Sequence, residues 1–210
     1  EAKPIIELPN AIDTGFYRPA SSEEKAASRR TLGLPAQARV LVQVGALTER
    51  KGPLPLAQAF LGLPSAVRDD AVLLLVGTGP QEAELQAHAA ASAGALRLLG
   101  QRDPAGVRAV LQAADAFVLN TFLDPNPLSP IEAAACGLPL VLSAKSGNID
   151  ELITGPGLGC AIADPADPEP ALRTALGWSA TQRDTFGAAA RRIAERDFSP
   201  AVLARRLVRE

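Results

Sequence analysis

The 210-residue sequence has no methionine, two cysteines, one histidine, one tryptophan and one tyrosine. Cys136 and Cys160 show no CxxC spacing, and His88 is the only imidazole that could join them. A zinc site of Cys and His ligands is therefore not expected, and the two cysteines read as reduced thiols. No apolar run approaches the roughly 20 residues of a membrane-spanning helix. No secretory signal opens the chain. There is no excess of one charge: 21 Lys and Arg stand against 23 Asp and Glu, which argues against a broad nucleic-acid footprint. The 17 glycines and 18 prolines stay below the level that marks disorder. No repeat or low-complexity segment is found. Because it lacks an initial methionine and opens "EAKPIIELPN", we expect the chain to be a piece of a longer protein.

What is present is a 47% apolar composition, enough for a buried core in a single domain over 1–210. Short aliphatic runs alternate with longer helical ones. RVLVQVG (39–45), AVLLLVG (71–77), LRLLG (96–100), AFVLN (116–120) and PLVLS (139–143) read as strands. Near-continuous apolar runs of that length suit parallel strands covered on both faces. Helices are expected over 53–61, 80–93, 105–113 and 129–136, and a capping box at Ser21 and Glu24 starts another that runs to about Leu32. Ahead of it, PIIELPNAIDTGFYRP holds a short strand and a polar loop. After Pro165 the pattern is helical: 169–178, 180–196 and 200–209. Trp178 is expected to pack, and Arg191-Arg192 and Arg205-Arg206 to lie on solvated faces. The fold class is therefore α/β, a Rossmann-like doubly wound parallel sheet with helices on both faces. Such sheets bind ligands beyond the carboxyl ends of their strands, so the loops that follow strands carry the interest.

In VGALTERKGP, Gly45 permits a tight turn, and Lys51 stands just before a helix start. It is either a surface lysine or a phosphate contact at a helix N-terminus. In VGTGPQEAEL, Gly77-x-Gly79 begins a dinucleotide fingerprint, but position 82 is Glu and the third glycine is absent, so nicotinamide-dinucleotide binding is not expected. LGQRDPAG is a turn with Asp103 as helix cap. In DPNPLSPIEAAACGLPLV two carboxylates flank a proline-rich turn. Ser129-Pro130-Ile131-Glu132 has the spacing of a capping box, with Pro at the first helical position. Glu132 is therefore a cap or a ligand contact, and Asp124 an Asx turn or a ligand contact.

Read in order, LPNAIDTGFYRP, VGALTERKG, VGTGP, LLGQRDPAGVRAVLQAADAFVLN and DPNPLSPIEAAACGLPLV resemble the C-terminal domain of GT-B fold glycosyltransferases of the retaining family 4, the group 1 glycosyl transferases. The likeness covers nearly the whole chain. It implies that Glu132 receives the donor ribose hydroxyls and that Lys51 binds the donor diphosphate. Gly45, with the backbone of Asn126, Pro127, Leu128 and Ser129, would face the diphosphate and sugar, Asp124 would stand near the sugar as a catalytic acid position, and Gly100, Gln101 and Arg102 would border the base. No metal and no further cofactor is implied; the partners are the nucleoside-diphosphate sugar and an acceptor domain preceding this one. The helices over 180–210 would pack toward that domain. A cytoplasmic location is implied, with peripheral membrane association through the preceding domain. Two departures stand out: Asp124 replaces the usual Glu, and Ala46 replaces an Arg after Gly45. The leading reading is the donor-nucleotide-binding half of a retaining glycosyltransferase that transfers sugar to a glycan, lipid or small-molecule acceptor; the two departures are the features that speak for the alternative, a degenerate nucleotide-sugar-binding or regulatory module. A nucleotide-sugar epimerase would require more acid–base side chains than the single His88.

Overall fold

A computed structural model describes residues 9–153 and 159–209. The expected N-terminal short strand falls largely on 1–8, outside the described residues. Among the described residues, six strands form one parallel sheet: β1 (Arg39–Val44), β2 (Ala71–Val76), β3 (Leu96–Leu98), β4 (Ala116–Leu119), β5 (Leu140–Ser143) and β6 (Gly159–Ile162). Their order is β3-β2-β1-β4-β5-β6, and each adjacent pair runs parallel. The sequence pattern anticipates the first five. It does not reveal β6, a partly exposed edge strand containing Gly159 and Cys160.

Alternation along the strands supplies two cores. Val40, Val42, Val72, Leu74 and Val76 face one way, and Leu41, Leu73 and Leu75 the other. The first set packs under α5 (Pro104–Ala113), α6 (Ser129–Ala135) and α9 (Ala180–Asp197). The second packs under α2 (Pro53–Gly62), α4 (Glu82–Ala91) and α8 (Glu169–Leu176). Each fully buried Leu or Val contributes about 1.5–3 kcal/mol of burial, which is why both faces of the strands read as apolar. Two short helices, α3 (Ser65–Arg68) and α7 (Ile149–Ile153), lie outside the sequence expectation.

The capping expectations hold for α1 (Ser22–Thr31), where Ser21 and Glu24 exchange bonds, and for α5, where the Asp103 carboxylate accepts from the Gly106 N–H at 2.7 Å. Trp178 is buried and meets Phe186 edge-on at 5.2 Å. Among the C-terminal helices, α9 packs on α6 and β5, and α10 (Pro200–Arg209) contacts α9. One expectation is corrected. Arg191 is not a solvated side chain: its guanidinium donates to the carbonyls of Thr14, Tyr17 and Ala135 at 2.5–2.9 Å. A carbonyl cluster at a helix end leaves acceptors unpaired, and Arg191 on α9 lies within reach of the C-terminal end of α6. Arg192 and Arg205 are exposed as expected.

Candidate nucleotide site

Parallel strands place every strand-to-helix loop on the same edge of the sheet. The order reverses between β1 and β4, the kind of switch point at which open α/β sheets bind ligands. The loops after β1 and β4 carry the charged residues. A three-residue 3-10 turn, Glu49–Lys51, follows β1 and ends on Gly52 with φ +56°. A Cβ at Gly52 would lie 2.1 Å from the Asn120 carbonyl oxygen, so the turn rests directly against the end of β4. The Lys51 ammonium pairs with the Asp124 carboxylate, and the Arg50 guanidinium stands 3.6 Å from its other oxygen. Asp124 is buried, while Arg50 is half exposed. The backbone of Asp124 is held in turn by the loop after β5: its N–H donates to the Lys145 carbonyl at 3.2 Å, and its carbonyl accepts from the Gly147 N–H at 2.8 Å. Asp124 is thus an ion-pair partner rather than the start of an Asx turn.

Beside this cluster, a cavity of about 280 Å³ is lined by Gly45, Ala46, Gly77, Thr78, Gln101 and Arg102 together with apolar side chains of β1, β2 and α5. Gly77 has φ +134°, and a Cβ there would reach 2.1 Å from the Gly45 carbonyl, so glycine keeps the two loops in contact at the cavity floor. Gly100 joins the same floor through its carbonyl, which accepts from the Gly77 N–H at 2.9 Å. Gln101 and Arg102 are exposed at the rim.

Glu132 lies elsewhere on the same edge, and its expected local role is corrected. Helix α6 begins with Leu128 as N-cap, in the αR conformation and with no side-chain cap. Ser129 is the first helical residue and Pro130 the second, so Glu132 is the fourth and no capping box forms. The i, i+3 spacing is compatible with either register, because proline is accepted anywhere in the first turn, where its missing N–H has no helical acceptor. The partly buried Glu132 carboxyl interacts electrostatically with the Tyr17 hydroxyl instead. Burial pushes the Glu132 carboxyl up, while the Tyr17 hydroxyl works against that shift. Burial, then the Glu132 charge, raise the Tyr17 phenol, and burial pushes the nearby Cys136 thiol up to about 12. Cys136 is therefore an inert packing thiol.

Of the four candidate donor-facing residues between the acids, Asn126 and Leu128 are exposed, Pro127 is buried and Ser129 is half-buried. The Pro127 carbonyl accepts from the Asn148 amide at 2.8 Å, which straps this loop to the one after β5. The structure thus brings Lys51 and Asp124 into contact and Gly45, Gln101 and Arg102 around one cavity. Glu132 stands on α6, against Tyr17. Residues passed over in the sequence are Tyr17, Gln43 and Asn120; the signal for the last two is an amide inside, or just after, an otherwise aliphatic strand. Among the described residues, no group of three His, Cys, Asp or Glu gathers as a metal set. Among them, too, no helix is long and apolar enough to cross a membrane.

Comparison with known proteins bears on the fold and the family. A mannosyltransferase of Corynebacterium glutamicum, GDP-mannose-dependent and acting on monoacylated alpha-(1-6)-phosphatidylinositol monomannoside, is 31% identical over 208 residues, covering 95% of this chain and 54% of its own length. A D-inositol 3-phosphate glycosyltransferase of Kineococcus radiotolerans is 32% identical over 211 residues, covering 91% and 48%. The chain thus spans about half the length of these curated relatives. The crystal structure of Anabaena HepE in complex with UDP and glucose superposes with a TM-score of 0.81 at 20% identity, over 96% of this chain and 55% of that one. The C-terminal domain of a group 1 glycosyl transferase from Francisella tularensis superposes with a TM-score of 0.76 at 14% identity, over 90% of this chain and all of that one. The family profile described as glycosyl transferases group 1 matches residues 24–185. The chain belongs to the group 1 glycosyl transferases and has the fold of their C-terminal, Rossmann-like domain.

Proposed function

We propose that this chain binds the nucleoside-diphosphate end of a sugar donor at the switch point between β1 and β4, as the donor half of a retaining glycosyltransferase. The observation that carries the reading is the placement of Lys51 and Arg50 on the switch-point edge, next to the cavity lined by Gly45, Gln101 and Arg102. In this reading the base occupies the cavity side, the ribose reaches toward Glu132, and the diphosphate meets Lys51. Charge develops on the leaving diphosphate as the sugar departs, and a fixed ammonium stabilises that charge without reorganising. Asp124 stands where the sugar would lie, and Glu132 exchanges Tyr17 for the ribose hydroxyls. GDP-mannose use by one relative and UDP in the HepE complex make UDP and GDP the first ligands to try. Transfer itself is proposed to need acceptor surfaces beyond these residues, so the chain alone should bind donor and transfer no sugar.

A degenerate binding module is the second reading. It is favoured by Ala46, an uncharged side chain at the cavity wall, and by the pairing of Lys51 with Asp124. Calorimetry with UDP, GDP, ADP and dTDP, with and without a chelator, tests the shared claim. UDP or GDP is expected to bind in chelator, and Lys51→Ala to weaken binding about tenfold or more, the worth of one charged hydrogen bond. Silence from all four nucleotides overturns both readings. Sugar transfer by the longer protein separates them.

A further inference from the structure

We propose that Gln43 and Asn120 are positioning residues that fix the Arg50-Lys51-Gly52 turn, and with it the place of the Lys51 ammonium; the consequence for diphosphate binding rests on the function proposed above. Gln43 is the one amide in β1, and Asn120 directly follows β4. Both are buried, at 2% and 0% exposure. Side chains alternate along a strand, so Gln43 shares the face of Leu41, and Asn120 that of Val118, the face covered by α2. Both amides therefore point toward the helix that the basic turn begins.

Each carbonyl of that turn is taken. Gln43 Nε2 donates to the Lys51 carbonyl at 3.0 Å, and Asn120 Nδ2 to the Gly52 carbonyl at 3.0 Å. The Thr121 hydroxyl and the Phe122 N–H both donate to the Arg50 carbonyl at 2.8 Å. The two amides are linked, because Gln43 Oε1 accepts from the Asn120 N–H at 3.2 Å. Asn120 Nδ2 also reaches the Pro165 carbonyl at 2.9 Å, tying the turn to the segment before α8. Burying two amides among aliphatic strands is unfavourable unless their hydrogen bonds are made, and two of the four bonds that these amides make end on one three-residue turn. Asn120 Oδ1 is buried with no partner, so among its side-chain atoms only the donor end contributes bonds. The Lys51 side chain is itself mostly buried, so a shift of its backbone moves the ammonium away from the Asp124 edge. What the amides hold is a charge at a defined point, and pre-positioning of that kind separates a phosphate-binding lysine from a surface one.

The test has two arms. The first needs no ligand. Lys51→Met, Asp124→Asn and the double variant give a stability cycle for the ion pair, measured by urea unfolding in the parent and again in Gln43→Met. The coupling is expected to be clear in the parent and to shrink to near zero in Gln43→Met. Equal coupling in both backgrounds overturns the proposal. The second arm compares UDP with uridine in the parent, Gln43→Met and Asn120→Ala. UDP affinity is expected to fall about tenfold while uridine affinity stays, since only the diphosphate meets Lys51. A parallel fall of both ligands indicates general loosening and counts against positioning. A parent that binds neither ligand removes the proposed function, and the ion-pair cycle then decides positioning alone.

Discussion

Glu132 shows how one carboxyl can be read in two ways until its neighbour is known. Tyr17 lies 115 positions away in sequence, and only folding brings its hydroxyl to the carboxyl. Burial raises Glu132 above its ordinary 4.5, so the folded chain holds this proton more tightly than the unfolded chain does. The associated stability is complete below 4.5 and is lost as pH climbs through the raised value. Glu132→Gln is always neutral. It is expected to gain stability relative to the parent from pH 4.5 upward and to level off once the parent carboxyl is ionised. Urea unfolding at about pH 4 and about pH 7 checks it against the linkage relation; an identical offset at both would show that the carboxyl does not titrate differently on folding. If Glu132 also holds ribose, the same variant loses nucleotide affinity. Lys51 was recognisable in sequence from its place before a helix. Its engagement with Asp124 was not, because the two lie 73 positions apart, with three other strands and their helices between them.

Helix α1 is joined to the sheet by a charge cluster. Asp115, just ahead of β4, takes Lys25 Nζ at 2.7 Å, Arg29 Nη2 at 2.6 Å and the Val40 N–H at 2.8 Å. Burial alone would raise its carboxyl, but the Lys25 charge and hydrogen bond, the Val40 N–H and Arg29 hold it below the ordinary 3.8. Its contribution is therefore full above 3.8 and is lost as pH falls through the lowered value. Asp115→Asn leaves Arg29 buried without its counter-charge and should cost about 3 kcal/mol at neutral pH, less in acid. Urea unfolding across that range checks both claims; a penalty independent of pH would remove the electrostatic account. At this scale the sequence was informative where burial was complete. Strands β1, β2, β4 and β5 are covered on both faces and read as aliphatic runs. Strand β6 is half-exposed at the sheet edge, and α3 and α7 are about one turn long, so no periodicity develops in them.

Arg191 holds together parts of the whole molecule. It binds Thr14 and Tyr17 across 177 and 174 positions, and Ala135 at the end of α6. Near it, a Cβ on Gly187 would lie 2.1 Å from the Gly137 carbonyl, which shows how closely α9 lies on the α6–β5 turn. Arg191→Met keeps the stem and removes the donors, leaving three carbonyls without their partner. The expected loss is about 2–3 kcal/mol, with Tyr17 and hence Glu132 less firmly placed. Thermal unfolding gives the loss, and a nuclear magnetic resonance signal from the Tyr17 ring reports the second effect. An unchanged midpoint would return Arg191 to the solvated face that its helical spacing suggested. The sequence by itself determined the parallel sheet, the loops that follow its strands, and the family, because strand burial and loop motifs are local and survive in one dimension. Which charges and amides meet on that edge was decided only by tertiary structure. Lys51 with Asp124, Asn120 with the basic turn, and Tyr17 with Glu132 are contacts between segments far apart in sequence, and no local pattern encodes the distance between them.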